Sequence, residues 1–96
     1  MPYRVFYHPA VDQEDFPLID ARLRTRILKA IEQRLASEPS DYGEPLRDPL
    51  KRYWKLRVGD YRIIYRFTGQ EVWIYRIGHR KHVYTFSFQR LTWQPH

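Results

Sequence analysis

The chain has 96 residues, enough for one hydrophobic core, and we expect a single domain over residues 1–96. It contains no cysteine, which excludes disulfides, thiolate metal sites and cysteine nucleophiles and favours a cytoplasmic location. Neither a signal peptide nor an apolar run long enough to span a bilayer is evident, so no membrane partner is expected.

The net charge of +6 is concentrated in the second half of the chain. Residues 1–50 hold seven Lys and Arg against nine Asp and Glu, whereas residues 51–96 hold ten against two. Clustered cations repel one another, and a bound polyanion relieves that repulsion. The asymmetry therefore favours a nucleic-acid partner, with a solvated basic surface as the alternative.

The first half of the sequence predicts one strand and two helices. The strand covers Tyr3–Tyr7, which is rich in β-forming residues. A short helix starts at Pro9 and is limited by Pro17, and Asp20 is suited to cap a longer helix. Apolar residues recur every fourth position of that helix: Leu23, Ile27, Ile31 and Leu35. Residues 40–50 are expected to form a loop.

The second half changes to the two-residue period of strands. Strands Trp54–Val58 and Tyr61–Phe67 flank Gly59-Asp60, a connection typical of a tight hairpin. A third strand, Val72–Ile77, follows, and a turn is expected at Gly78.

The fold class is therefore α+β, with an N-terminal strand, a two-helix hairpin, an antiparallel three-stranded meander and a short C-terminal element. The tail over residues 82–93 fits either a short strand or a helix.

A two-residue turn fixes which side chains face one another. Arg57 is expected opposite Arg62, and Lys55 opposite Ile64. Alternation gives the hairpin one apolar face that the helices can cover: Trp54, Leu56, Val58, Tyr61, Ile63 and Tyr65. We call the other side of the sheet the cationic face: Lys55, Arg57, Arg62 and Arg66, with Tyr53, Trp73 and Tyr75.

Like charges directly across a hairpin are destabilising unless an anion lies between them. The predicted Arg57–Arg62 pair therefore indicates a phosphate site. Long side chains that splay into water are the alternative explanation.

Metal-independent cleavage of RNA is the chemistry that the cationic face best supports. The ribose 2′-hydroxyl supplies the nucleophile, so the protein needs only to move protons and to stabilise a pentavalent phosphate. Repulsion from Arg57 and Arg62 favours the neutral form of a neighbouring lysine, which makes Lys55 the candidate general base. Arg57, Arg62 and Arg80 are the candidate charge stabilisers.

No metal or cofactor is expected. His79 and His82 are close in sequence, but no third ligand is evident and their neighbours are cationic. Most carboxylates lie in the first half of the chain, away from these histidines.

Two segments carry a resemblance to a known family: YWKLRVGDYRIIY over residues 53–65 and IGHRKHVY over residues 77–84. Together they resemble the RelE/ParE toxin superfamily, closest to its RelE branch, and the resemblance extends over nearly the whole chain. RelE-like toxins are cytoplasmic bacterial endoribonucleases that enter the ribosomal aminoacyl site and cut mRNA without a metal. The resemblance thus implies three partners: the bacterial ribosome, mRNA and a cognate antitoxin that restrains the toxin.

The same resemblance implies roles for individual residues. Lys55 matches a general base, Arg57 its basic neighbour and Arg62 a phosphate-binding residue. Arg80 matches a residue that stabilises charge and helps to protonate the leaving group, and Tyr84 one that stacks on a base. Further RNA contacts are expected from four residues: Arg52, Arg66, Lys81 and His79.

Two alternatives stay open within the superfamily. A ParE-like toxin would inhibit DNA gyrase and would have no nuclease activity, and the shared fold cannot separate the two activities. An inactive member would serve only as a folded partner for an antitoxin.

Overall fold

In a computed structural model that describes residues 2–85 and 88–96, five strands form one sheet in the order β1-β5-β4-β3-β2. Strand β1 runs parallel to β5, and the other neighbours are antiparallel. The strands have these bounds: β1 Arg4–Tyr7, β2 Glu44–Pro45, β3 Trp54–Val58, β4 Tyr61–Phe67 and β5 Glu71–His79. The predicted α+β class and the three-stranded meander are confirmed.

The hairpin of β3 and β4 has the predicted bounds and register. Val58 pairs with Tyr61 and Arg57 with Arg62, on either side of the turn. Gly59 has a φ of 59°, a left-handed conformation that a residue without a Cβ adopts at little cost. The turn therefore sets the register of the whole hairpin.

The predicted turn at Gly78 is wrong, because β5 continues through this residue. Gly78 pairs with Arg62, and the Arg80 N–H still donates to the Asp60 C=O at 2.8 Å. The strand also starts one residue earlier than predicted, at Glu71, which is buried.

The helices follow the predicted order. The first helical segment consists of a π-helical turn, Val11–Asp15, and a 3-10 turn, Phe16–Leu18. Helix α1, Ala21–Ala30, starts where Asp20 Oδ1 accepts from the Arg22 N–H at 2.8 Å, and it continues as a π-helical turn over Ile31–Leu35. None of the helices that the structure describes is long and apolar enough to cross a membrane.

The segment predicted as a loop contains two short elements, helix α2 at Pro39–Tyr42 and strand β2. Each is too short to produce a hydrophobic period, so the sequence pattern could not indicate them. The tail forms a single helical turn, α3, at Phe88–Leu91.

The main core lies between the helices and the apolar face of the sheet. Ile27, Ile31 and Leu35 are fully buried, as the fourfold repeat predicts. They belong to one cluster with the predicted strand residues Leu56 and Ile63.

A second, smaller core lies on the other side of the sheet, beneath the C-terminal tail. It is built around four buried residues: Tyr53, Ile64, Tyr75 and Val83. The Tyr53 hydroxyl donates to the Leu91 C=O at 2.6 Å, and the Tyr75 hydroxyl donates to the Trp93 C=O at 2.9 Å. These two rings are thus used to hold the tail and are not free to stack on bases.

A buried ion pair closes the edge of β5 where β1 ends. Strand β1 pairs with β5 only as far as Ile74. Beyond that point Asp15 Oδ2 accepts from the Ile77 N–H at 3.0 Å, while Arg90 Nη1 donates to the Tyr75 C=O at 3.1 Å. Arg90 also donates to both oxygens of Asp15, at 2.7 and 3.0 Å, so side chains take the place of a strand.

Removal of Arg90 should destabilise the fold strongly. Arg90→Ala leaves the Asp15 carboxylate buried and unpaired, so we expect the free energy of unfolding to fall by about 3–5 kcal/mol. Arg57→Ala is the matched control, because the Arg57–Glu44 pair is exposed and exposed pairs contribute roughly 0–1 kcal/mol. Urea denaturation measures both values, and equal losses would contradict the structural role given to Arg90.

A second stability prediction concerns Gly43, which lies against the Tyr65 side chain. A Cβ at this position would overlap the Tyr65 hydroxyl, which donates to the Pro39 C=O. We expect Gly43→Ala to cost about 1–3 kcal/mol through overpacking. Gly69→Ala is the control, since a Cβ there meets nothing within 4 Å. A thermal melt in which both variants unfold alike would show that the Gly43 contact is unimportant.

Candidate nucleic-acid interface

The cations predicted from the hairpin share one face of the sheet. Arg57 pairs with Arg62 across the hairpin, and Lys55 lies on the same side, opposite Ile64. On the next strand Arg62 is opposite Gly78, which has no side chain to cover it. Lys55, Arg57 and Arg62 therefore form a compact cationic group near the Gly59-Asp60 turn.

Weak, exposed interactions hold the guanidinium groups of this region. Arg57 Nε lies 3.6 Å from Glu44 Oε1, and Arg80 Nε lies 3.7 Å from Asp60 Oδ1. The side chains of Arg57 and Arg80 remain 58% and 55% exposed. Such pairs add little stability, so a phosphate can replace the carboxylates at small cost.

Arg62 is held by the hairpin itself. Its Nη1 donates to the carbonyls of Gly59 and Tyr61, both at 2.9 Å. These bonds keep the Arg62 guanidinium beside the turn. Asp60 of the same turn contacts Arg80 through its C=O and its carboxylate.

Two of the predicted RNA-binding cations lie at the opposite end of the cationic face. The Arg66 guanidinium lies over the rings of Tyr53 and Trp73, 5.6 and 5.7 Å from their centroids. Arg52 is exposed in the turn before β3. The structure therefore separates Arg52 and Arg66 from the group around Arg57.

The loop after β5 carries Arg80, Lys81 and Tyr84. The Arg76 side chain bonds to the backbone of this loop. Its Nη1 donates to the Thr85 C=O at 3.2 Å, and its Nη2 donates to the His82 C=O at 3.4 Å. Tyr84 is 42% exposed and Lys81 is exposed, so both are accessible to a ligand.

Arg76 was missed as a site residue by the sequence analysis. Burial lowers the pKa of its guanidinium, which is consistent with a structural position under the loop. Its position two residues before Gly78, which strand alternation places on the same face, was the available signal in the sequence.

His79 does not share the cationic face with Lys55. It is opposite Tyr61 on the helix-covered side, with ring centroids 5.6 Å apart, and its Nδ1 accepts from the Lys81 N–H at 3.2 Å. The His82 ring centroid is 6.2 Å from that of His79. Over residues 2–85 and 88–96, no group of three or more acidic, His or Cys side chains is arranged to hold a metal ion.

The cationic surface continues onto helix α1. A cavity of about 270 Å³ lies between this helix and the end of β3. Four cations line it: Arg26, Lys29, Arg34 and Arg57. The three-residue step from Arg26 to Lys29 places these two cations on one side of the helix.

The sequence matches known toxins over most of its length. Residues 13–84 match the family model described as the ParE toxin of the type II toxin–antitoxin system parDE. Toxin RelG of Mycobacterium tuberculosis is 30% identical over 86 residues, which cover 88% of this chain and 98% of RelG.

Solved structures show the same fold. The toxin–antitoxin complex RelBE2 from Mycobacterium tuberculosis contains a chain with a TM-score of 0.77 and 29% identity, covering 83% of this chain and 93% of that one. A chain of the RelB–RelE complex from Methanococcus jannaschii has a TM-score of 0.64 at 23% identity, over 82% of this chain and 94% of its own length. With its sheet, its cationic hairpin and these relatives, the chain belongs to the RelE/ParE superfamily of type II toxin–antitoxin toxins.

Proposed function

We propose that this toxin is an endoribonuclease that cleaves mRNA in the ribosomal aminoacyl site without a metal ion. The observation that carries the proposal is the pairing of Arg57 with Arg62 across the hairpin, with Lys55 on the same face. A like-charged pair directly across a hairpin is stabilised by an anion that both side chains can reach, and a phosphodiester is such an anion. The lysine beside them supplies the proton acceptor that RNA cleavage needs.

The reaction follows from the chemistry of the ribose. Lys55, as the general base, takes the proton of the 2′-hydroxyl, and the resulting oxygen attacks the adjacent phosphorus. Arg57 and Arg62 stabilise the charge that develops on the phosphate oxygens. The bond to the 5′-oxygen breaks, with Arg80 assigned to charge stabilisation and proton transfer at this leaving oxygen.

The remaining predicted residues hold the substrate in this proposal. Tyr84, which is 42% exposed, stacks on a base of the mRNA. Arg52, Arg66, Lys81 and His79 supply further RNA contacts. The two groups of cations, one near the turn and one near Tyr53, are both available to a strand of RNA that follows the sheet.

We also propose that the chain acts as a single cytoplasmic domain whose partners are the ribosome, mRNA and a cognate antitoxin. The similarity to chains from RelBE2 and from RelB–RelE complexes supports the antitoxin. An acidic antitoxin segment would neutralise the cations around Arg57 and so block the approach of RNA.

A second candidate is inhibition of DNA gyrase without cleavage of RNA. The match to a family model named for ParE favours it. The cationic group of Lys55, Arg57 and Arg62 argues against it. A protein that only binds gyrase carries out no catalysis and so has no catalytic need for these residues.

Cleavage should depend on translation and not on a metal carried by the toxin. We expect primer extension to detect new mRNA ends when the toxin, freed of divalent ions with a chelator and then desalted, is added to translating ribosomes. The ribosomes keep their own magnesium, and naked mRNA is the control. Equal cleavage of naked RNA would contradict the ribosomal site, and inhibition of gyrase supercoiling without new mRNA ends would favour the second candidate.

Substitution should separate catalysis from binding. Lys55→Ala and Arg80→Ala should lower the single-turnover cleavage rate by about 100-fold or more, because each group acts in the transition state. Ribosome affinity should change little in both variants, whereas Arg62→Ala should weaken affinity as well as rate.

Arg22→Ala is the matched control for these variants, since it removes one exposed positive charge from α1. It should leave rate and affinity unchanged. Losses of affinity that parallel the losses of rate in all three site variants would mean that the cationic face only docks the toxin.

A further inference from the structure

A small pocket lies at the edge of β5, next to the loop that carries Arg80 and Tyr84. It has a volume of about 190 Å³. Leu18 and Ile19, at the end of the first helical segment, form one wall. Rings form the other side of what we call the edge pocket: Tyr61, His79 and His82.

The floor of the edge pocket is the backbone of β5. Because the Ile77 N–H donates to Asp15, the backbone groups of Ile77 point away from β4. Alternation gives His79 the same direction, and its C=O accepts from the His82 and Val83 N–H groups at 2.9 Å. The Ile77 C=O and the His79 N–H therefore face the pocket as an adjacent acceptor and donor.

This acceptor and donor have no partner among residues 2–85 and 88–96. A polar backbone pair without protein partners bonds to water or to a ligand. The Watson–Crick edge of a nucleobase presents a donor beside an acceptor, which matches such a pair.

The walls suit a planar ring. Leu18 is 85% exposed at the mouth of the pocket, where its apolar side chain is free to pack against a ring face. The His79 imidazole is held in place by the Lys81 N–H and by the edge of Tyr61. The pocket thus combines an apolar side with an aromatic side, as in sites that hold an unstacked base, and the charged residues Asp15 and Arg76 also line it.

The same edge cannot take a peptide strand. Strand addition requires successive ladder bonds along an open edge. Here Asp15 and Arg90 occupy the edge before the pocket, and the turn from His79 to Val83 ends it. A single donor and acceptor pair remains, which is room for one base.

We propose that the edge pocket binds one unstacked base of the RNA substrate, near the bond that is cut. The inference rests on the proposed nuclease function. In that function Arg80 and Tyr84 of the adjoining loop bind the RNA, and this places one of its nucleotides next to the pocket. The Watson–Crick edge of the base bonds to the Ile77 C=O and the His79 N–H, and its face packs against Leu18. The pocket thereby contributes to the choice of the cleavage site.

Nucleotide titration tests the pocket without ribosomes. The ¹⁵N-labelled full chain is titrated with each of the four ribonucleoside 5′-monophosphates, and with inorganic phosphate as the control for the charged group. We expect the His79 amide resonance to shift with at least one nucleotide and not with phosphate. Shifts confined to the surroundings of Arg57 and Arg62 would overturn the proposal, and so would a His79 shift produced by an acidic peptide and by no nucleotide.

A substitution at the mouth tests the role of the pocket in cleavage. Leu18→Glu should lower kcat/KM on translating ribosomes by roughly tenfold, as loss of one base contact does, and should alter the distribution of bases beside the cut. Leu28→Glu is the matched control, because Leu28 is 37% exposed on α1 and lies outside the edge pocket. It adds the same charge and should change neither quantity.

The two proposals fail in different ways. Unchanged rates and base distributions in Leu18→Glu would overturn the edge pocket while the nuclease function stands. Absence of cleavage by the unsubstituted toxin would overturn the nuclease function, and the His79 titration would still decide whether the pocket takes a base.

Discussion

The edge of β5 is the point on which the rest of this structure depends. Strand β1 pairs with β5 only over Glu71–Ile74, so the outer backbone groups of β5 beyond Ile74 have no neighbouring strand. Asp15 supplies an acceptor for the Ile77 N–H, Arg90 supplies a donor for the Tyr75 C=O, and the two side chains neutralise each other. Because Asp15 comes from the first helical segment and Arg90 from the C-terminal tail, one ion pair fixes both segments against the sheet.

The C-terminal tail divides this side of the sheet into an apolar part, which the tail covers, and an exposed cationic part. Near the tail, Ile64 and Tyr75 are fully buried and form a second core. Near the hairpin turn, Arg57 and Arg62 have only exposed or local partners. The apolar part packs the tail against the sheet, and the cationic part presents its charges at the spacing that the strand register sets.

The sequence was most informative where structure is local. A two-residue turn at Gly59-Asp60 determines the register of β3 and β4, so the Arg57–Arg62 pairing could be predicted from neighbouring residues alone. The amphipathic helix and its Asp20 cap were predictable for the same reason.

Contacts between distant residues left no such pattern. The parallel pairing of β1 with β5 and the Asp15–Arg90 pair join residues far apart in the chain, and neither charge stands out in the sequence. Glu71 lies just before the predicted third strand, yet it belongs to β5 and accepts from Trp73 Nε1 at 2.8 Å, a bond that lowers its pKa. Its burial follows from the tertiary fold and not from its neighbours.

The long-range closure of the sheet also dictates an order of folding. The hairpin needs only neighbouring residues, but the Asp15–Arg90 contact spans 75 positions and the Arg4–Glu71 contact spans 67. The edge of β5 that the Asp15–Arg90 pair covers therefore stays open until residue 90 has been synthesised and has reached the sheet, whereas the hairpin needs only contacts between neighbouring residues.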